Sequence, residues 1–254
     1  MAKIKDIIEY FDRILPESLS EPWDNDGVMV NTNDEASIKR VIVALDATSA
    51  VIKKAIEISA ELIVTHHPLI FSPLTRLVGS DAYGKRLMEC VKSDISVLSY
   101  HTRLDEVEGG VCDCLSQKIG LFDTQKMEPC GRIGFVNEEM SYDDFRRHVK
   151  NALGINSTSG VYCGKPVNKV AVVSGSGKEY ITDAKKAGAD TFLTGEMNHS
   201  SLIEAREIGL NVVCGTHYAT ENVVLQRLKV LLLEEFPDLE IEIMPFEAER
   251  EYGI

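Results

Sequence analysis

Apolar residues along this chain follow two rhythms. Short, nearly unbroken aliphatic runs, such as Arg40-Val-Ile-Val-Ala-Leu45, Leu62-Ile-Val-Thr65 and Ile95–Tyr100, alternate with longer stretches where apolar positions recur every three or four residues. The first rhythm suits strands buried on both faces, the second suits helices with one buried stripe. A strand over 40–45 is followed by a helix over 49–60, a strand over 62–65, a helix over 81–92 and a strand over 95–100. The same order then returns: strand 169–174, helix 179–187, strand 191–194, helix 200–208, strand 211–215. Strands separated by helices predict parallel sheets made of βαβ units. The expected fold class is therefore α/β, with two similar halves, 1–125 and 126–254, packed around an interdomain cleft.

Outside this repeat, Ile4, Ile7, Ile8, Phe11 and Ile14 keep helical spacing and are interrupted by charges, which predicts an amphipathic helix packed on the domain rather than a signal peptide. The segment from about 120 to 169 reads as a connection between the halves, with a short strand over 132–136, a helix over 142–153 and turns at Gly160 and Gly164-Lys-Pro. The chain closes with a helix over 219–236 and a strand over 239–244 whose strict alternation predicts one exposed face. No stretch reaches the roughly 18 apolar residues that a membrane span needs.

Composition narrows the functional classes. The 254 residues suffice for two domains of about 100–150 residues with real cores. A net charge of −13, from 40 acidic and 27 basic residues, would repel phosphate backbones, so broad binding to nucleic acid is not expected. The six cysteines contain no CxxC pair, and read as reduced thiols of a cytoplasmic protein.

In parallel sheets ligands gather at the carboxyl ends of the strands, and that is where the chemically able residues fall. The strand 62–65 runs into His66-His67-Pro68. Neighbours on a strand point to opposite faces, but a chain turning into proline lets both imidazoles approach one site. The third strands end alike, with His101-x-x-x-Asp105 in one half and His217-x-x-x-Glu221 in the other. A spacing of four places His217 and Glu221 on one face of a first helical turn. Imidazole nitrogen with carboxylate oxygen suits zinc, iron, manganese, cobalt or nickel. His66, His67, Asp105, His217 and Glu221 thus make a candidate five-ligand set for two divalent ions per chain. Glu196, His101 and His199 are candidates for moving protons.

Two further motifs are ambiguous. Ser174-Gly-Ser-Gly-Lys178 lacks the first glycine of a phosphate loop, Val172 standing in its place, although such a turn can still offer backbone N–H groups to an anion. Trp23-Asp-Asn-Asp-Gly27 is either a tight turn anchored by Trp23 or the rim of a site.

Taken together, Trp23-Asp-Asn-x-Gly27, Thr65-His-His-Pro68, His101-Thr-x-Leu-Asp105, Thr194-Gly-Glu196 and Gly215-Thr-His-x-x-Thr-Glu221 resemble, in kind and order, the motifs of the GTP cyclohydrolase I type 2 homologues, also called the NGG-interacting-factor-three-like family. The resemblance covers nearly the whole chain and is to short members, without the domain that longer relatives insert between the halves. It implies a two-domain α/β protein with a dinuclear metal centre on the same five residues, assembled as a toroidal homohexamer. Arg103 departs from the family pattern, which usually has asparagine there, so an arginine either binding an anionic group or pointing to solvent is expected. The function that follows is a dinuclear metal-dependent hydrolase of a small molecule, a nucleotide or heterocycle with a hydrolysable C–N bond, using a metal-bridging hydroxide. A phosphoesterase would use the same metals. The alternative is a non-catalytic metal-binding adaptor, metallochaperone or regulatory ring.

Overall fold

The unbroken apolar runs do form parallel strands, and burial on both sheet faces explains why they do not alternate. The computed structural model describes residues 2–245, which divide into one unit of residues 2–107 with 225–245 and another of residues 108–224. In the first unit the sheet order is Glu240–Met244, Arg40–Ala44, Leu62–Thr65, Ser96–Ser99, Gly27–Val30, parallel throughout except for the last strand. One face carries Ile42, Ala44, Ile63 and Val97 and is covered through Val51, Ile52, Leu87 and Cys90 of the helices Ser49–Ile58 and Ala82–Lys92. The alternate residues Val41, Val43, Leu62, Val64 and Leu98 are equally buried. The N-terminal helix Ile4–Ile14 forms as its spacing predicts, and its Phe11 packs on Tyr100 with ring centroids 4.4 Å apart.

The second unit repeats the design. Val167–Val172, Thr191–Thr194 and Asn211–Cys214 are parallel neighbours. One face, with Ala171, Val173, Phe192 and Val212, meets Ile181, Ala184 and Ala205 from the helices Ile181–Lys186 and His199–Glu207. The other, with Val170, Val172, Leu193 and Val213, meets Leu115, Phe145 and Val149 from the helices Val111–Lys118 and Tyr142–Leu153. Each valine, leucine, isoleucine or phenylalanine among them, fully buried, contributes about 1.5–3 kcal/mol. The α/β class expected from the pattern is the one observed, with helices on both faces of each sheet.

Three expectations need correcting. The segment 120–169 is not a connection: Phe122–Lys126, Arg132–Met140 and Ser159–Val161 are antiparallel strands that complete the second unit's six-stranded sheet. Phe122–Lys126 is exposed at every position, so it carries no apolar signature to read. The helix expected over 219–236 is broken into His217–Glu221, a 3-10 turn at Asn222–Val224, and Leu225–Glu235. Asn222, Val223 and Val224 are weak helix formers. Finally, the strand Glu240–Met244 pairs in parallel with Arg40–Ala44, Ile241 opposite Val41 and Ile243 opposite Val43, so the last strand belongs to the first unit's sheet. Its glutamates are exposed and its apolar residues half-buried, as the alternation predicts.

Among the described residues no helix is long and apolar enough to cross a membrane.

Candidate metal centre

In the first unit the parallel strands deliver a histidine cluster at their carboxyl ends. After Leu62–Thr65 the chain turns: Thr65 Oγ1 donates to the His67 carbonyl at 2.8 Å, and the His67 N–H donates to the Leu45 carbonyl at 2.9 Å. This turn brings adjacent residues, which a strand would point apart, to a ring-centroid separation of 5.0 Å. The ring of His101, at the end of the neighbouring strand, lies 5.2 Å from His66 and 5.6 Å from His67. One ring nitrogen from each of the three falls within 4.8 Å of the others, close enough to share an ion.

Each ring is oriented through Nδ1. His66, fully buried, donates from Nδ1 to the Tyr100 carbonyl at 3.0 Å. His67 donates to Asp46 Oδ1 at 3.0 Å, and His101 to Asp24 Oδ1 at 2.9 Å. With the proton committed to Nδ1, the neutral imidazole carries its lone pair on Nε2, the arrangement that metal-binding histidines require. Asp105, on the short helix Thr102–Glu106, places Oδ2 3.8 Å from His66 Nε2. That separation is too long for a hydrogen bond, yet matches two ligands each about 2 Å from a common ion.

Asp24 belongs to the Trp23-Asp-Asn-Asp-Gly27 motif, and its role was not legible in the sequence. Its side chain is enclosed and accepts from His101, from the Thr102 N–H at 3.0 Å and from Thr102 Oγ1 at 2.7 Å. Burial favours the neutral acid, but these donors outweigh it and hold the carboxyl well below the usual carboxylate range. The motif is not anchored by tryptophan burial: Trp23 is 61% exposed and stands edge-on to His101, 6.1 Å between centroids. Asp46 was also missed. The available signal was its position, directly after the first parallel strand and level with the other strand ends.

Arg103 corrects both sequence expectations, since it neither faces solvent nor awaits an anion. It is buried, donating to Asp26 Oδ1 at 2.8 and 2.5 Å, to the Leu15 carbonyl at 2.9 Å and to Asp12 at 3.2 Å.

The second unit supplies a matching pair. His217 opens the helix His217–Glu221, and its Nε2 lies 3.1 Å from Oε2 of the buried Glu221. His217 Nδ1 meets Glu196 Oε1 at 3.2 Å. A neutral ring has one proton for two carboxylates. The geometry therefore calls for an imidazolium or for a cation between Nε2 and Glu221, and the donor set fits a divalent ion. Thr216 holds the turn at φ +66°, a backbone state that costs about 1–3 kcal/mol in a β-branched residue, while its Oγ1 accepts from the Ala219 N–H.

The glycine-rich turn at 174–178 serves this pair rather than an anion. Gly175 N–H donates to Thr220 Oγ1 at 3.1 Å and Gly177 N–H to Thr194 Oγ1 at 2.9 Å. At Gly175, φ +57°, an added Cβ would lie 2.1 Å from Glu221 Oε1, so only glycine leaves room for the carboxylate. His199 is exposed on the first turn of its helix and joins neither cluster. Beside His67 and Asp46 opens a cavity of about 720 Å³ whose lining includes Phe71, Tyr83, Arg76 and Arg86.

Strand-end histidines and carboxylates on α/β units define a candidate metal-binding protein. The chain belongs to the Duf34/NIF3 (NGG1p interacting factor 3) family, which it matches over residues 2–251. It is 33% identical over 253 residues to a Clostridium perfringens protein named GTP cyclohydrolase 1 type 2 homolog, with 95% of each chain covered. A Methanocaldococcus jannaschii protein of the same name is 34% identical over 254 residues, covering 96% of this chain and 100% of the relative. Among solved structures, reduced HcgD from Methanocaldococcus jannaschii is similar with a TM-score of 0.83 at 33% identity, over 97% of this chain and 98% of that one. A Bacillus cereus protein related to NIF3 gives 0.89 at 24% identity over 97% of both chains, which supports the fold alone.

Proposed function

We propose that the protein is a dinuclear metal-dependent hydrolase of a small molecule, a nucleotide or heterocycle with a hydrolysable C–N bond. The observation that carries this reading is the common orientation of three clustered histidines, each with Nδ1 committed to an oxygen acceptor. The proposed ligands are His66, His67, Asp105, His217 and Glu221. Divalent ions bound there would polarise the electrophile and lower the pKa of water to near neutrality.

The chain's own groups have distinct tasks in this reading. Asp46 fixes the tautomer of His67. Asp24 holds the His101 ring through Nδ1, which leaves Nε2 turned to the cluster to accept and return a proton. Glu196, exposed and joined to His217, passes protons to solvent. His199 has less support, because it touches neither cluster. The cavity beside His67 offers Phe71 for stacking and Arg76 and Arg86 for a negative group.

Metal content of protein purified without an affinity tag tests the reading. Two divalent ions per chain are expected, lost or halved in His67→Ala and Glu221→Ala. Wild-type protein that is metal-free and takes up no added zinc, manganese or iron would overturn it. A stable metal complement with no turnover across nucleotides and heterocycles would favour a metal-binding adaptor instead.

A further inference from the structure

Two large aromatic side chains stand exposed beside the histidines of the first unit. Trp23 is 61% exposed and Phe71 51%. Their ring centroids lie 6.2 Å apart at 55°, and each ring stands edge-on to His101, at 6.1 and 6.4 Å. All three separations fall in the range of about 4.5–7 Å over which aromatic rings attract one another. The three rings therefore form one aromatic surface, bounded by His101 and with much of Trp23 and Phe71 left open to solvent.

The turn that carries Trp23 is fastened to both of its ring neighbours. Asp24 accepts from His101 and Thr102, and the Glu21 N–H donates to Thr102 Oγ1 at 2.9 Å. On the other side, Asn25 Nδ2 donates to the carbonyl of Ile70, the residue before Phe71. A tryptophan gains stability by burial, and a turn held this firmly forgoes that gain by keeping the indole in water. Aromatic surface held in place beside a few convergent polar groups is the character of a ligand site. Phe71 also lines the cavity of about 720 Å³ beside His67, together with Arg76 and Arg86. Arg86 is partly committed, donating from Nη1 to the Ala47 carbonyl at 3.1 Å and lying over the Tyr83 ring. Arg76 is exposed.

We infer that Trp23 and Phe71 are the platform on which a flat aromatic ring of the substrate stacks, with Arg76 receiving an anionic group of the same molecule. The inference rests on the reading of this site as one for a small molecule, and narrows that molecule to a planar conjugated ring with a negative substituent. Stacking asks for a flat face and tolerates many patterns of ring atoms, so Trp23 selects the class of ring and leaves the choice within that class to polar groups. A ring on this platform adjoins His101, the group proposed to move protons.

Trp23 is the only tryptophan in the chain, so its fluorescence reports this surface alone. GMP, AMP, UMP or ribose 5-phosphate is titrated into protein stripped of metal by a chelator, and again into protein reloaded with zinc. Metal content is measured separately, so the metal reading and the stacking fail independently. At least one nucleotide should quench the fluorescence saturably in one or both forms, and ribose 5-phosphate, which has the anion but no flat ring, should not. Equilibrium dialysis with that nucleotide should show binding weakened about 5–100-fold in Trp23→Ala and largely restored in Trp23→Phe. Arg76→Ala should weaken the nucleotide and leave the matching nucleoside unchanged. Both side chains are exposed, so these variants should keep the wild-type circular dichroism. No saturable quenching by any of the three nucleotides in either form, equal quenching by ribose 5-phosphate, or wild-type affinity in Trp23→Ala would overturn the inference. Wild-type nucleotide affinity in Arg76→Ala would overturn the arginine's part in it.

Discussion

Replacing Gly175 by alanine probes the second unit's site with a single methyl group. The new Cβ would stand 2.1 Å from Glu221 Oε1, 3.1 Å from its carboxyl carbon and 3.3 Å from His217 Cε1. Two contributions add. Alanine at φ +57° costs about 1 kcal/mol relative to glycine, through the backbone alone. The contact forces the buried Glu221 carboxylate to swing away, and a clash of this kind in a packed interior costs about 1–3 kcal/mol. The sum is about 2–4 kcal/mol of unfolding free energy. Gly154→Ala is the matched control: its φ is +69°, but nothing lies within 4 Å of its Cβ, so it pays the backbone cost only. Urea unfolding of wild type and both variants would read the difference, and titration with zinc would read the site. Gly175→Ala should be the less stable variant by about 1–3 kcal/mol and should bind zinc at least about tenfold more weakly, because a tenfold change needs only about 1.4 kcal/mol. Equal stabilities for the two variants, with zinc affinity unchanged in Gly175→Ala, would refute the close-approach reasoning.

Asp46→Ala should weaken zinc binding about 10–100-fold by releasing His67, with a small loss of stability since the Asp46 side chain is 41% exposed; calorimetric titration reads the affinity and urea unfolding the stability. Arg103→Met strands the enclosed Asp26 carboxylate and should cost about 3–5 kcal/mol in urea unfolding, whereas a substrate-binding arginine would have left stability untouched. Asp24 titrates lower in the folded state than unfolded, so its contribution is present above the ordinary carboxylate range and lost as pH falls below about 4. The stability gap between wild type and Asp24→Asn should therefore be full at pH 7 and narrow toward pH 3. We propose the homohexamer that the family resemblance implies: light scattering of the native protein should give the mass of six chains, and a monomer mass would remove the hexamer.

Sequence alone determined the parallel cores and the identity of the chemically able residues. Runs such as Leu62–Thr65 and Thr191–Thr194 are legible because burial on both faces imposes unbroken apolarity, a local property. The His-x-x-x-Asp and His-x-x-x-Glu repeats are legible because strand ends fall at fixed intervals along the chain. The rest depends on residues far apart in sequence. Asp24 is 77 positions from His101, and Asp46 is 21 from His67, so neither orienting bond leaves a local trace. Arg103 read as either an anion-binding or a solvent-facing side chain until Asp26, Asp12 and the Leu15 carbonyl enclosed it. Glu240–Met244 shows one exposed face in its alternation, but only the ladder of backbone bonds to Arg40–Ala44 decides which sheet it joins. Periodicity records how deeply a residue is buried; which partner buries it is decided by long-range packing, and that the chain reveals only when folded.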